Sequence, residues 1–516
     1  MSTSLGSNVG KTPARTTSSR IHGRPFLPWD GVSGRPQPPE GYKEGYCHHS
    51  SNLFPTWHRP FLALVEERIY YHAKEVVAEF PDGDFKSRMI AALPALRLPF
   101  WDAAAVPPGK LPWTHWKTTI RYPTTRNADA ESQDSKIASQ LDLNVVNLRQ
   151  RTYQMMAMQK DYHNISNNMV SLGGVLDSLE SVHDTIHNTV GSSGPGHMTN
   201  AAYSAFDPVF WLLHTNIDRM TAMWQALNPD SWVTNHSNPT ATFTSDAGAY
   251  ADENTPLHPF HRNLAGDFWT SASVRDHTIF GYTYPDLIGL SEDDTLVRRV
   301  NQLYGDHATS RFSWRLGDPV PSITSNGYTY NDRRSITMDS PQKGTYHYQY
   351  YANIKVQKSG SEGGYKIFVF LNDTGLATAG STYDLTAWMR DRSFVGFTGF
   401  QSTNSLGDGY AGVPNAKDYA NGVVALTSAL EERLRLHEIP SLDEDTVGRY
   451  LHANMTWRIT TADHRIIAPE NTPGFQIDVS YAIIKPATSN SFPEMLGDYK
   501  HLLGATSGKA GGVQDG

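Results

Sequence analysis

The sequence predicts a mainly α first domain followed by a β-rich second one. Three observations predict it. Apolar residues between Pro55 and Leu213 recur at three- and four-residue steps, whereas beyond about Asp286 the chain turns to β-branched and aromatic runs. A chain of 516 residues also exceeds what one fold ordinarily holds. The expected divisions are 1–320 for the first domain, 321–344 for a linker, 345–503 for the second domain and 504–516 for a disordered, Gly-rich tail. No internal repeat is present.

The elements follow in order. From Pro55 to Val76, Phe61, Leu62, Leu64, Val65 and Ile69 mark one helical face, with Glu66, Glu67 and Arg68 between them and Pro55 in the first turn. Val175 to Val190 reads as a second helix, with Asp177 or Ser178 as its cap and Gly191 as its stop. A third starts near Asp207, because an Asp cap is followed by Pro208, whose missing donor costs nothing at the first helical position. In the second part, Tyr346 to Gln357 and Tyr365 to Leu371 read as strands joined like a hairpin across Gly363-Gly364. Phe475, Ile477, Val479, Tyr481 and Ile483 alternate as in a half-buried strand. One helix, Val423 to Leu436, interrupts the strands, with Leu426, Leu430 and Leu434 four apart.

Composition excludes several classes. Charged residues are 19% and the net charge is −8, so no basic face exists to gather phosphates, and nucleic acid is not an expected partner. The most apolar stretch, Met89 to Pro107, is broken by Arg97, Asp102 and prolines, so no membrane span is expected. Met1 to Arg20 lacks the apolar centre of a secretory signal, which makes an intracellular, cytoplasmic location the expectation. Cys47 is the only cysteine, so any bound metal must be held by histidine.

Two of the regions rich in the 21 histidines have spacing that suggests chemistry. The first contains Ile21-His22-Gly23, Cys47-His48-His49 and Phe54-Pro55-Thr56-Trp57-His58-Arg59-Pro60. In the second, His183 and His187 lie four apart on the predicted helix, one turn after Glu180, and His214 follows in the helix that Asp207 opens. Burying a neutral imidazole in so apolar a helix requires a partner, and a metal is one. Imidazole suits zinc, copper, iron and nickel. A zinc-peptidase reading is weak because Asp184 stands where a Glu base is needed, and a blue-copper site would need a thiolate beside the second cluster. Two three-histidine groups point to a paired-metal centre.

Together with Phe206-Asp207-Pro208-Val209-Phe210-Trp211-Leu212-Leu213-His214-Thr215-Asn216-Ile217-Asp218-Arg219 and Gly281-Tyr282-Thr283-Tyr284-Pro285, these strings resemble the two copper signatures of the type 3 copper family, most of all fungal tyrosinases. The resemblance runs from His22 to Pro285. It implies a four-helix bundle around two copper ions, copper A on His22, His49 and His58, and copper B on His183, His187 and His214. It also implies a thioether between Cys47 and His49; otherwise Cys47 is a free buried thiol. Glu180 matches the acid that assists phenol deprotonation through a water, and Asp184 stands where many tyrosinases use Asn. Phe210 resembles the aromatic gate over the site, and Asn216 and Asp218 resemble residues supporting the ligands. Leu213 replaces a histidine common beside the last ligand. The implied partners are a small phenol and dioxygen, the implied reactions ortho-hydroxylation of monophenols and oxidation of o-diphenols to o-quinones. The alternatives are a catechol or o-aminophenol oxidase without monophenol activity, and, outside that class, a haemocyanin-like oxygen binder or an inactive interaction protein. The second domain is similar to the C-terminal shield of fungal tyrosinases, with a protease-accessible join at Ser322 to Asn326.

Overall fold

The computed structural model describes residues 18–37, 41, 44–104, 119–125, 127, 129–169, 177–192, 196–305, 346–361, 364–372, 385–402, 419–462 and 464–513. The first part contains α1 (Ser19–His22), α2 (Phe54–Glu79), α3 (Asp84–Ala92), α4 (Asp134–Met158), α5 (Tyr162–Ser166), α6 (Leu179–Gly191), α7 (Ala201–Ser204), α8 (Pro208–Leu227) and α9 (Leu296–Tyr304). The frame is made by α2, α4, α6 and α8, with α2 against α8, α8 against α6 and α6 against α4. Their inner faces share one core that includes Trp57, Phe61, Leu148, Val182, Ile186, Phe210 and Ile217.

The three expected helices form. Pro55 sits in the first turn of α2, and Phe54, Trp57, Phe61, Leu62, Leu64 and Val65 are buried, but Ile69 is 41% exposed because the second half of α2 runs out beyond the bundle. α6 opens at Leu179 rather than Val175, with Ser178 as the cap accepting from Ser181 N; Asp177 pairs with Arg151 instead. Asp207 caps α8 by accepting from Val209 N, and Arg121 holds its carboxylate at 2.7 and 2.8 Å.

Two small antiparallel ribbons follow, β1 (His236–Ser237) with β2 (Tyr250–Ala251) and β3 (Pro256–His261) with β4 (Phe268–Thr270). The second domain contains β5 (His347–Gln357), β6 (Tyr365–Leu371), β7 (Phe394–Phe400), β8 (Tyr419–Ala425), β9 (Met455–Thr461), β10 (Ile466–Ile467), β11 (Gln476–Lys485), β12 (Glu494–Met495) and β13 (Lys500–His501). One sheet runs β10-β9-β6-β7 and the other β12-β11-β5-β8, with β13 on β11. Tyr350, Ile354 and Val356 of one sheet and Tyr365, Ile367 and Val369 of the other share a core, so the domain is a sandwich.

Three expectations need correction. β5 and β6 do not form a hairpin; they belong to different sheets. Gly364, at φ +94°, lets the chain change sheets so close to Phe400 that a Cβ would lie 1.7 Å from its carbonyl oxygen. Not one but three α-helices interrupt the strands among the described residues, Leu385–Met389, Thr427–Arg435 and Glu444–Asn454, and the expected one starts only at Thr427 because Val423 and Val424 pair with β5 as part of β8; β-branched residues fit that buried ladder better than a helix. The tail is not disordered through 504–513: Ile477 N donates to Gly511 O, Val513 N donates to Ile477 O, and Ala505 and Thr506 are fully buried. Its glycines allow close approach instead, since a Cβ on Gly511 would strike the Phe475 ring. The expected linker 321–344 and the join at 322–326 lie outside the described residues.

The second domain sits on the first through β7, which lies along α6. As an edge strand, β7 presents open backbone groups, and first-domain side chains satisfy them: Phe397 N donates to Asn144 Oδ1 and Gly399 N to Thr185 Oγ1, and just past the strand Gln401 N donates to Asp184 Oδ2. Every residue of α6 is consequently buried. Among the described residues no helix is long and apolar enough to cross a membrane.

Candidate metal centre

Each histidine of the two clusters is placed by its own local device. His22 ends α1, and two glycines let neighbouring strands of chain press against it. A Cβ on Gly45 would lie 1.9 Å from His22 O, and one on Gly23 would lie 2.3 Å from Ala202 O. His22 Nδ1 faces Ala201 O at 2.9 Å. His58, in the second turn of α2, has Nδ1 2.7 Å from Phe54 O, and His187 on α6 has Nδ1 2.6 Å from Met198 O. A ring nitrogen facing a carbonyl carries the proton, so in these three rings Nε2 keeps its lone pair. His183, one turn before His187, directs Nδ1 to Asp184 Oδ1 at 3.1 Å. His49 lies in the loop before α2, with Nδ1 3.3 Å from Cys47 Sγ.

The six rings gather in one buried cluster. His22 Nε2, His49 Nε2, His58 Nε2, His187 Nε2 and His214 Nδ1 are buried and have no hydrogen-bond partner, which is costly unless something else fills the coordination. The donor atoms of His183, His187 and His214 lie within 4.8 Å of one another, as do those of His22, Cys47 and His49. His183 Nε2 and His214 Nε2 are 3.1 Å apart, near the roughly 3.3 Å between two ligands each about 2.0 Å from a tetrahedral ion. The His58 ring stacks on His214 at 4.3 Å between centroids, and those of His22 and His49 are 5.8 and 5.9 Å from it. Desolvation keeps all six imidazoles neutral, pushing His58 down to about 3 and His187 to about 4. Neutral imidazole is the metal-binding form. The donor set therefore fits an ion held by His183, His187 and His214, while His22 and His49 form a second close group whose third donor is Cys47 Sγ; His58 lies beside both groups but outside the 4.8 Å spread of either.

Beside this centre lies a pair of buried acids. Glu180 Oε1 accepts from Ser50 N at 2.7 Å and Oε2 from Asn168 N at 3.2 Å. Asp184 Oδ2 accepts from Asn168 Nδ2 at 2.9 Å and from Gln401 N at 3.1 Å. Burial raises the proton affinity of both, and the Lys358 ammonium opposes it. Lys358 and Gln401 come from the second domain, and sequence reasoning missed both. Neither stands in a spacing pattern, and their place depends on how the domains dock.

The common central domain of tyrosinase matches residues 16–114 and 105–227, and the tyrosinase C-terminal domain matches 349–479. A tyrosinase of Podospora anserina is 30% identical over 502 residues, covering 80% of this chain and 85% of the relative. The chain belongs to the tyrosinase family of type 3 copper proteins. A tyrosinase of Neurospora crassa is 33% identical, covering 61% of this chain and 54% of its own length, and polyphenol oxidase 2 of Agaricus bisporus is 33% identical, covering 56% and 59%. The chain thus spans little more than half the length of those two relatives. The fold matches that of latent and active mushroom tyrosinase, with a TM-score of 0.70 at 24% identity over 94% of this chain and 89% of the other. It also matches holo-protyrosinase from Aspergillus oryzae, at 0.63 and 19% over 93% and 87%.

Within this tyrosinase-family site, Phe210 is fully buried one turn before His214, its ring centroid 4.0 Å from that of His214 and 4.7 Å from that of His22. It touches rings of both histidine groups. Asn216 and Asp218 hydrogen-bond elsewhere than to an imidazole. Asn216 Oδ1 accepts from Arg219 at 3.1 Å. Asp218 accepts from Arg59 Nε at 2.6 Å, Tyr282 at 2.5 Å and Tyr284 at 2.6 Å, while Arg219 pairs with Asp286 and Asp102. Asp218 thus fixes α2 through the residue after His58.

Proposed function

We propose that this chain is a copper-dependent phenol oxidase that hydroxylates monophenols at the ortho position and oxidises o-diphenols to o-quinones with dioxygen, in pigment or other secondary metabolism. One observation carries the reading: the buried, unpartnered Nε2 atoms of His22, His49, His58 and His187 belong to rings that cluster with those of His183 and His214, with Phe210 packed on His22 and His214. His22, His49 and His58 would hold copper A, and His183, His187 and His214 copper B. The two ions, when bound, supply the redox chemistry. The chain supplies position and proton handling. Carbonyls at Ala201, Phe54 and Met198 lock three ligands in one tautomer. Burial makes the Glu180 carboxylate a better proton acceptor than an ordinary surface acid, suiting it to take the phenol proton. Cys47, near His49 Nδ1, would tether that loop-borne ligand through a thioether.

The second domain supports a latent form, since it buries the whole of α6 and brings Gln401 Nε2 to 3.1 Å from Met198 O beside His187. Limited proteolysis between the domains is expected to raise activity; unchanged turnover after a clean cut contradicts latency. Asp184, charged where an Asn is common in the family, favours a second reading, an oxidase of o-diphenols or o-aminophenols alone. Comparing monophenol with diphenol turnover, lag times recorded, decides between them: hydroxylation of a monophenol after a lag supports the first reading, and diphenol turnover alone supports the second.

A further inference from the structure

Lys358 follows β5 directly and opens the short turn Lys358–Gly360. Its side chain leaves the second domain and is only 2% exposed. Nζ lies 3.0 Å from Ser50 Oγ, 3.3 Å from Asp184 Oδ2 and 3.5 Å from Glu180 Oε1. Ser50 adjoins the ligand His49, and the two acids flank the ligand His183 on α6. Two carboxylates one helical turn apart, both fully buried, repel each other, and an ammonium within reach of both removes the repulsion. The match is specific: an uncharged Asn at 184 would leave one negative charge for Lys358, whereas Asp184 leaves two. No other lysine or arginine among the described residues forms an ion pair with either acid.

We infer that Lys358 is an ionic clasp through which the second domain holds the Glu180–Asp184 pair beside the metal centre, withholding it from substrate until the ammonium withdraws. This rests on the phenol oxidase reading and adds to it the contact by which the second domain regulates the site. An ammonium between the acids excludes the phenol from its proton acceptor while leaving the imidazoles in place. Withdrawing the ammonium while the acids stay buried leaves two uncompensated carboxylates, so the closed state holds without any covalent link.

The test uses the full copper-loaded chain. Lys358→Met removes the charge, Lys358→Gln removes it but keeps a donor for Ser50, and Lys358→Arg keeps it. Copper content, absorption on oxygenation and turnover of a small o-diphenol are read on the same preparations. At equal copper content, the Met and Gln variants should turn over at least about tenfold faster than the parent, by shifting the population toward the open state, with the Arg variant within about twofold of it. Equal rates at full copper loading overturn the clasp and leave the oxidase reading standing. Copper loss in both uncharged variants also overturns it, by assigning Lys358 to support of the metal centre. A parent chain that binds copper but gives no oxygenation band and no turnover overturns the oxidase reading, and the clasp with it.

Discussion

At the residue scale, the histidines separate by what fixes their second nitrogen. His22, His58 and His187 each face a backbone carbonyl, so their competence as ligands depends on backbone geometry that point substitutions elsewhere leave intact. Removing the ring itself is different. His187→Ala is expected to lower copper from about two to about one per chain and to abolish diphenol turnover, measurable by elemental analysis and oxygen uptake; retention of both ions contradicts its assignment. For Cys47, burial pushes the thiol proton affinity up, so without a thioether it would be an inert neutral thiol. A proteolytic fragment spanning Cys47 and His49 should be about 2 Da lighter than its unmodified mass and resist alkylation. That the six histidines share one buried cluster was legible, because spacing and string identity survive in one dimension. The partners of the acids were not: Ser50, Asn168, Gln401 and Lys358 reach Glu180 and Asp184 only after distant segments have docked.

At the element scale, α2 and α8 are tied by Arg59 and Asp218, each 1% exposed and 2.6 Å apart, with Tyr282 and Tyr284 closing the acid's remaining oxygen. Arg59→Met strands a buried carboxylate and should cost about 3–5 kcal/mol of unfolding free energy, read by denaturant titration. In the sandwich, β6 carries the opposite case. Lys366 is fully buried, its ammonium has no hydrogen-bond partner, and desolvation pushes it down to about 7. The unfolded chain keeps that proton to about 10.4, so between about pH 7 and 10 it binds more protons than the folded chain, and stability rises with pH across that window. Below about pH 7 the full cost of the buried charge remains. Lys366→Met should therefore raise the melting temperature at pH 6, by about 2–4 °C per kcal/mol relieved, and by progressively less toward pH 10. The existence of β5, β6 and β11 was legible, the last from alternation at Ile477, Val479 and Tyr481, but β7, β8 and β9 were not read as strands and partner choice was not legible at all. The Gly363-Gly364 signal encodes a sheet change as readily as a hairpin, and only the approach of Gly364 to Phe400 distinguishes them.

For the whole molecule, the order of domains and the copper-binding character of the first could be read from sequence, whereas the depth of their interface could not. The second domain lends its open edge strand to α6 and its Lys358 and Gln401 to the surroundings of the histidines, so the metal helix is buried from both sides. The fold therefore couples metal centre and β-sandwich. Acidification toward about pH 4 should strip metal before it unfolds the sandwich, since only there do protons begin to compete for imidazoles whose neutral form is required for binding; copper release and near-ultraviolet circular dichroism recorded together across pH would show whether the two events separate. The most direct measurement is the copper content of the purified, reconstituted chain taken together with its absorption on oxygenation. A paired-copper, oxygen-binding centre predicts two copper ions per chain and a new band that appears with dioxygen and disappears on its removal. One ion per chain, or two that leave the spectrum indifferent to dioxygen, would contradict it.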